Sequence, residues 1–412
     1  MNISIVTTIV DYTLRHSIAK KRIRIIEHRC VIMPNLQQFL KQLRTVEIPR
    51  LIKQSVSTLN IVCGNESADF DSVACAISYA YFEHAKSAQN VYVPIINIPK
   101  EDLMMRRDIM FTLNKLDISQ DLLFFREDLM EYNKQFNTIN AVIVDHNELP
   151  KPTKQLITDV IGIIDHHADK QLYPNANPRI ITVTGSCSSL VTNFWSKNLE
   201  SNKYHEALND CAPLLISAGL LDTANMKYKV ENPDVEAFKH YGDLNIPLFT
   251  QFDSAFRELR SAKDNIDGLT VKQLIRKDYK EYDLIPKSLE SKKLNFGVTS
   301  IVEPVEELFK RFNSKDNFFN SCYKYREEYD LDCLVLLTSW NDPKEGRFRR
   351  ELIIIPKDGL CDTVENLCNN APKLELKVLD KESQKFVVYE QFDLSSSRKR
   401  IMPYLQDVYS TI

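Results

Sequence analysis

At 412 residues the chain exceeds what a single ordinary core organises, so two domains are expected. Its 43% apolar and 26% charged residues are those of a soluble globular protein, and a net charge of −3 supplies no field drawing it to nucleic acid or a membrane. Nine glycines, with no Gly-Gly, GxxxxGK or GxGxxG, exclude a P-loop and a dinucleotide fingerprint. Nine cysteines without a CxxC read as reduced, buried thiols.

In chain order, residues 1–32 join an apolar start to Arg15, Lys20, Lys21, Arg22, Arg24 and Arg29. They read either as a targeting segment, which would give a mitochondrial form of an otherwise cytoplasmic protein, or as sequence ahead of a natural start at Met33. A helix is predicted over 36–45. Apolar runs at 59–63, 91–96, 141–144, 161–164 and 180–183 read as strands, with helical spacing over 72–82 and between most of the others. That alternation predicts an α/β domain with a mainly parallel sheet flanked by helices. Helices follow over 190–195 and 213–221. A helical connector over 255–262 leads to a smaller α/β unit, with a charged helix over 271–282 and strands at 296–301, 333–338 and 351–355.

Four stations place acids or imidazoles at the ends of these elements: Asp69 and Asp71; Asp145-His146-Asn147; Asp165-His166-His167; and Asp222. In an open α/β sheet, ligands gather outside the carboxyl ends of the strands, so sequence-distant groups converge there. Taken singly, Asp-x-Asp is an ordinary surface turn. Adjacent histidines directly after an apolar run are rarer. Together, four carboxylates and an imidazole at one place demand protons or cations, and oxygen-rich sites with some imidazole suit Mn²⁺, Mg²⁺ or Co²⁺. The serine-rich turn 186–189 lacks a base-orienting partner for a nucleophile, so its hydroxyls and helix-start amides read as phosphate contacts or caps.

The four stations resemble the motifs of the DHH phosphoesterase superfamily, most of all its yeast exopolyphosphatase branch, which is related to family II inorganic pyrophosphatases and prune-type proteins. The resemblance covers roughly residues 36 to 412. It implies a DHH catalytic domain (36–262) after an N-terminal extension (1–35), then a DHH-associated substrate-binding domain (263–412). It implies two metals per active site held by Asp69, Asp71, Asp145, His166 and Asp222, with Asp145 bridging, and Asp165 orienting the histidines. His167 would meet the substrate phosphate. Lys280, in Asp278-Tyr279-Lys280, and Arg398 and Lys399, in the run Ser397-Arg398-Lys399-Arg400, would bind phosphate, with Lys287, Lys292 and Lys293 as flanking candidates. Inorganic polyphosphate is the substrate implied, hydrolysed by a monomer that engages neither nucleic acid nor membrane. Asn65 stands where the pyrophosphatase pattern has histidine, a stronger metal ligand than a carboxamide, and this counts against plain pyrophosphatase activity. A pyrophosphatase, a phosphodiesterase of short oligonucleotides and a catalytically inactive phosphate-binding protein are the other readings.

Overall fold

The computed structural model describes residues 33–242, 244, 251–286 and 292–410. The segment 1–32 and Lys287 lie outside the described residues. Residues Pro34–Ile412 form one compact unit, which contains two six-stranded sheets.

The first sheet is entirely parallel, in the order β3-β2-β1-β4-β5-β6. Its strands are β1 (Thr58–Cys63), β2 (Tyr92–Ile96), β3 (Phe124–Phe125), β4 (Thr138–Val144), β5 (Asp159–Asp165) and β6 (Arg179–Ile181). Ile61, Val62, Ile143, Val144, Ile163 and Ile164 are buried, as strands covered on both faces require. From β1 the chain winds outward one way through β2 and β3. It then returns to β4 and winds the other way. β1 and β4 are therefore neighbours at the switch point, where the loops leaving their C-terminal ends diverge and open a crevice.

The helix Phe70–Lys86 starts where Asp69 Oδ1 accepts the Ser72 amide at 3.1 Å. Almost all of its side chains are buried, because it packs against the sheet and against the helices Ser201–Asp222 and Cys187–Asn198. The long helix Ser201–Asp222, with Pro213 inside it, delivers Asp222 at its last position.

The second sheet is mixed, in the order β11-β12-β10-β9-β8-β7. Its strands are β7 (Tyr279–Leu284), β8 (Leu294–Ile301), β9 (Cys333–Asn341), β10 (Phe348–Pro356), β11 (Leu376–Glu382) and β12 (Phe386–Gln391). Only β8 and β9 pair in parallel. Alternate residues of β9 feed two cores. Val335 and Leu337 join Ile401 and Leu405, while Leu334 and Leu336 join Ile275, Phe318 and Cys322. The sheet thus has helices on both faces.

Three expectations change. The charged helix predicted over 271–282 ends at Lys277; it begins with a capping box between Thr270 and Gln273, and Tyr279–Leu284 is instead an edge strand antiparallel to β8. The predicted helix over 36–45 becomes Leu36–Gln42 followed by a π-turn, Leu43–Glu47. The strand expected at 180–183 is the shorter β6, with Val183 largely exposed beyond it.

Candidate metal centre

The loop leaving β1 needs Gly64, because a Cβ there would stand 2.3 Å from Ser72 Oγ. That hydroxyl instead accepts the Asn65 amide at 2.6 Å. Asn65 Oδ1 accepts from Ser67 N (2.9 Å), Ser67 Oγ (2.7 Å) and Ala68 N (3.0 Å), and its Nδ2 donates to Asp145 Oδ2 at 2.7 Å. The carboxamide is therefore spent on shaping the loop and steadying Asp145, and its oxygen is turned to three protein donors.

Asp145 follows β4 directly in a left-handed conformation (φ 60°), which a short polar residue tolerates better than most. It is buried. Its Oδ1 lies 3.2 Å from His166 Nε2 and 3.7 Å from His167 Nδ1. One donor atom from each of Asp145, His166 and His167 fits within 4.8 Å of the others.

The two imidazoles are fixed differently. His166 Nδ1 lies 3.1 Å from the Thr184 carbonyl, which fixes the proton there in the neutral ring and leaves the lone pair on Nε2, 4.0 Å from Asp71 Oδ2. His167 is exposed, and its Nδ1 lies 2.8 Å from Asp165 Oδ1. That hydrogen bond holds the His167 pKa above its ordinary value. Fully buried Asp165 also accepts the His166 and His167 amides (2.8 and 3.2 Å) and the Asn147 side-chain amide. Burial alone would raise its pKa, but the bonds from His167 and Asn147 outweigh it and hold the carboxyl low. Burial pushes the third imidazole, His146, down; its Nδ1 sits 2.9 Å from the Val144 carbonyl.

Asp71, in the first turn of its helix, is buried and takes three donors from the start of helix Cys187–Asn198 and the residue before it: Ser186 Oγ (2.8 Å), Cys187 N (2.6 Å) and Ser188 N (2.8 Å). Of the two roles expected for this hydroxyl and these helix-start amides, phosphate contacts or caps, the structure commits them to a carboxylate at the helix start, Asp71. Neither the strand pattern nor the motif spacing signals this, since the partners lie more than a hundred residues apart.

The carboxylates converge electrostatically. Burial pushes Asp145 far above the ordinary carboxylate range, and the negative charges of Asp69 and Asp71 add to it. Asp222 is raised by burial and then by Asp71 and Asp69. Asp71 is raised by burial, with His166 opposing. Asp145 Oδ1 and Asp222 Oδ2 are buried without a hydrogen-bond partner. Buried carboxylate oxygens of this kind need a proton or a cation, and carboxylates with a free imidazole nitrogen are the donor set of a hard to borderline divalent metal. The residues therefore fit such ions.

The predicted phosphate binders lie in the second sheet's half. Lys280 is exposed on β7. Arg398 is buried at the start of helix Arg398–Tyr409; it donates to the Asp278 carbonyl and pairs with Asp278 Oδ1 at 2.8 Å. Lys399 and Arg400 are exposed. The structure thus brings the Asp278-Tyr279-Lys280 and Arg398 segments together. Among the described residues, no hydrogen bond or ion pair joins these bases directly to Asp145 or Asp71. Lys292 pairs with Asp332 (2.8 Å) and Lys293 with Asp283 (2.9 Å). A residue the motifs do not include, Arg106, spans the halves, donating to the Ser67 carbonyl in the β1 loop and to the Lys277 carbonyl at 2.7 Å.

Residues 60–219 match the model of the DHH family, N-terminal domain, and residues 257–408 that of the DHHA2 domain. A candidate exopolyphosphatase of Schizosaccharomyces pombe is 28% identical, covering 90% of this chain and 96% of its own length. The mouse exopolyphosphatase PRUNE1 is 26% identical over 88% of this chain and 78% of its own. A manganese-dependent inorganic pyrophosphatase of Methanocaldococcus jannaschii is 26% identical over 70% of this chain and 85% of its own. Among solved structures, a candidate family II inorganic pyrophosphatase of Methanococcus jannaschii matches with a TM-score of 0.52 at 20% identity, over 85% of this chain and 99% of its own, a likeness of fold.

Proposed function

Because this chain belongs to the DHH/DHHA2 phosphoesterases, we propose that it is a metal-dependent exopolyphosphatase that releases terminal orthophosphate from inorganic polyphosphate. The observation that carries the hydrolase reading is the buried, unpartnered Asp145 Oδ1 beside an imidazole nitrogen held free at 3.2 Å. The substrate class is supported by relatives named exopolyphosphatases that align along most of this chain, and by Asn65, whose amide is spent within the protein.

In this reading residues 36–262 carry the chemistry and 263–412 supply substrate-binding groups. Asp69, Asp71, Asp145, His166 and Asp222 would hold two divalent cations, Mn²⁺ or Mg²⁺ with Co²⁺ as an alternative. When bound, the cations supply Lewis-acid activation of water and neutralise phosphate charge. The protein's own groups do the rest. The Thr184 carbonyl holds His166 Nδ1 and so keeps Nε2 aimed at Asp145. Asp165 holds His167 in place and favours its protonated form, so that the free edge of the ring can donate a charge-assisted hydrogen bond to a phosphate oxygen. Lys280 and Lys399 offset the charge that grows on the departing chain, and Arg398, whose two terminal nitrogens are held by Asp278, adds its charge and ties the two basic segments together.

The test is phosphate release from polyphosphate, pyrophosphate, ATP and a dinucleotide measured side by side, with Mn²⁺, Mg²⁺ and Co²⁺ varied. Polyphosphate should be the preferred substrate, and Asp145→Ala should reduce its turnover by at least about 100-fold. Near-normal turnover in that variant sinks the metal-site reading. Preference for pyrophosphate would assign the chain to the pyrophosphatase branch, and binding of polyphosphate without hydrolysis would make it a phosphate-binding protein.

A further inference from the structure

Asp234 lies outside the four stations, in the first turn of helix Asn232–Gly242, and is fully buried. Both of its oxygens are satisfied by donors. Oδ2 accepts Gly185 N at 2.8 Å and Glu231 N at 2.9 Å, and Oδ1 accepts Ser189 Oγ at 2.7 Å and Ser186 N at 3.3 Å. Three of the four donors belong to one turn, residues 184–189. No basic side chain pairs with Asp234 among the described residues, so these hydrogen bonds alone compensate its burial.

The same turn touches the metal centre from its other side. The Thr184 carbonyl fixes His166 Nδ1 at 3.1 Å. Ser186 Oγ, Cys187 N and Ser188 N hold Asp71. Gly185 abuts Thr223, the residue after Asp222: a Cβ at Gly185 would stand 2.5 Å from Thr223 Cγ2, 2.7 Å from the Lys229 carbonyl and 3.0 Å from Asp234 Oδ2. The turn is therefore clamped between two buried carboxylates, one in the centre and one behind it.

We infer that Asp234 is a positioning residue for the metal centre, fixing the turn through which Asp71, His166 and the end of the Asp222 helix are aligned. This rests on the metal-centre reading above. Asp234 touches neither metal nor substrate in it. Exchanging one acceptor oxygen for an amide sets N–H against backbone N–H, so the turn loosens and the ligands lose their aim while the chain keeps its sheets.

The test uses the full chain, stripped of metal and titrated calorimetrically with Mn²⁺. Asp234→Asn should weaken Mn²⁺ binding about 10- to 100-fold, the range of outer partners of metal ligands, with an unchanged far-ultraviolet circular dichroism spectrum. A destabilising control in the second core, Val364→Ala, should lower the melting temperature and leave Mn²⁺ affinity as it is. Should Asp234→Asn fail to fold, Ser189→Ala removes a single donor to Asp234 and should weaken binding roughly fivefold. Native affinity in folded Asp234→Asn, or in Ser189→Ala where the first variant does not fold, overturns the inference. A native chain that binds no Mn²⁺ overturns the metal-centre reading and this inference with it. Native binding that is unchanged in the variant overturns the inference alone.

Discussion

Asn65 shows how one residue can look like a ligand in sequence and act as a brace in structure. At its place in the motif a histidine would offer a metal a nitrogen lone pair. The carboxamide here donates to Asp145 and accepts three donors from its own loop. Asn65→His therefore has two effects of opposite sign. The imidazole adds a ligand, so Mn²⁺ should bind about tenfold more tightly. The loop loses the acceptor for Ser67 and Ala68, so the metal-free chain should lose about 1–2 kcal/mol of stability. Calorimetric titration and metal-free melting separate the two; unchanged Mn²⁺ affinity would show that position 65 lies out of a metal's reach. The motif residues were legible because acids and imidazoles at strand ends are rare and chemically costly together. The contacts that steady them were not, because only the fold creates them: Asn147 on Asp165, Thr184 on His166, Ser186 on Asp71.

At the scale of elements, the parallel sheet could be read from sequence because β1, β4 and β5 are buried on both faces and appear as unbroken apolar runs. The second sheet was only half legible. β8, β9 and β10 carry such runs; β12 carries a short one, Phe386–Tyr389, outside the predicted strands, and β7 and β11 are edge strands with mostly exposed residues and no unbroken apolar run. The helix Val271–Lys277 borrowed β7 in the sequence reading, and with it Lys280. The consequence is functional. Asp278, between helix and strand, is where Arg398 docks, so the two predicted phosphate-binding segments are tied by one guanidinium. Lysine there keeps the charge and loses the fork. Arg398→Lys should raise KM for polyphosphate several-fold and lower stability by about 1 kcal/mol or less, since Asp278 is half exposed. Mn²⁺ affinity should not change. Steady-state kinetics with calorimetry decide it: lost metal binding would mean that the basic run supports the fold alone.

At the scale of the whole molecule, specific contacts join the halves that carry the two sheets. Met105 is buried in the second sheet's core, Arg276 pairs with Asp102, and Arg106 reaches the β1 loop and Lys277 together. Charge in the metal centre therefore bears on the stability of the unit as a whole. Asp71, Asp145 and Asp222 have raised pKa values, chiefly through burial. Above about pH 4, where free carboxyls ionise, the folded chain holds protons that the unfolded chain has released. Metal-free stability must then fall as pH rises from there through the raised folded values. His167 adds in the same direction: its raised pKa contributes stability below the ordinary histidine range that is lost as pH climbs past the folded value. Asp165, held low, opposes this only on the acid side, contributing above about pH 4 and losing its contribution as pH falls. Cations that replace those protons invert the trend, because they bind the ionised carboxylates. Saturating Mn²⁺, at about 100 times its dissociation constant, adds about 2.7 kcal/mol for each ion bound, or several degrees of melting temperature. That gain should be larger near about pH 7.5 than near about pH 5, because protons compete with the metal for the same oxygens and do so more as pH falls. Melting curves with and without Mn²⁺ at both pH values measure it; an equal shift at the two would mean that the raised carboxylates are not where the metal binds.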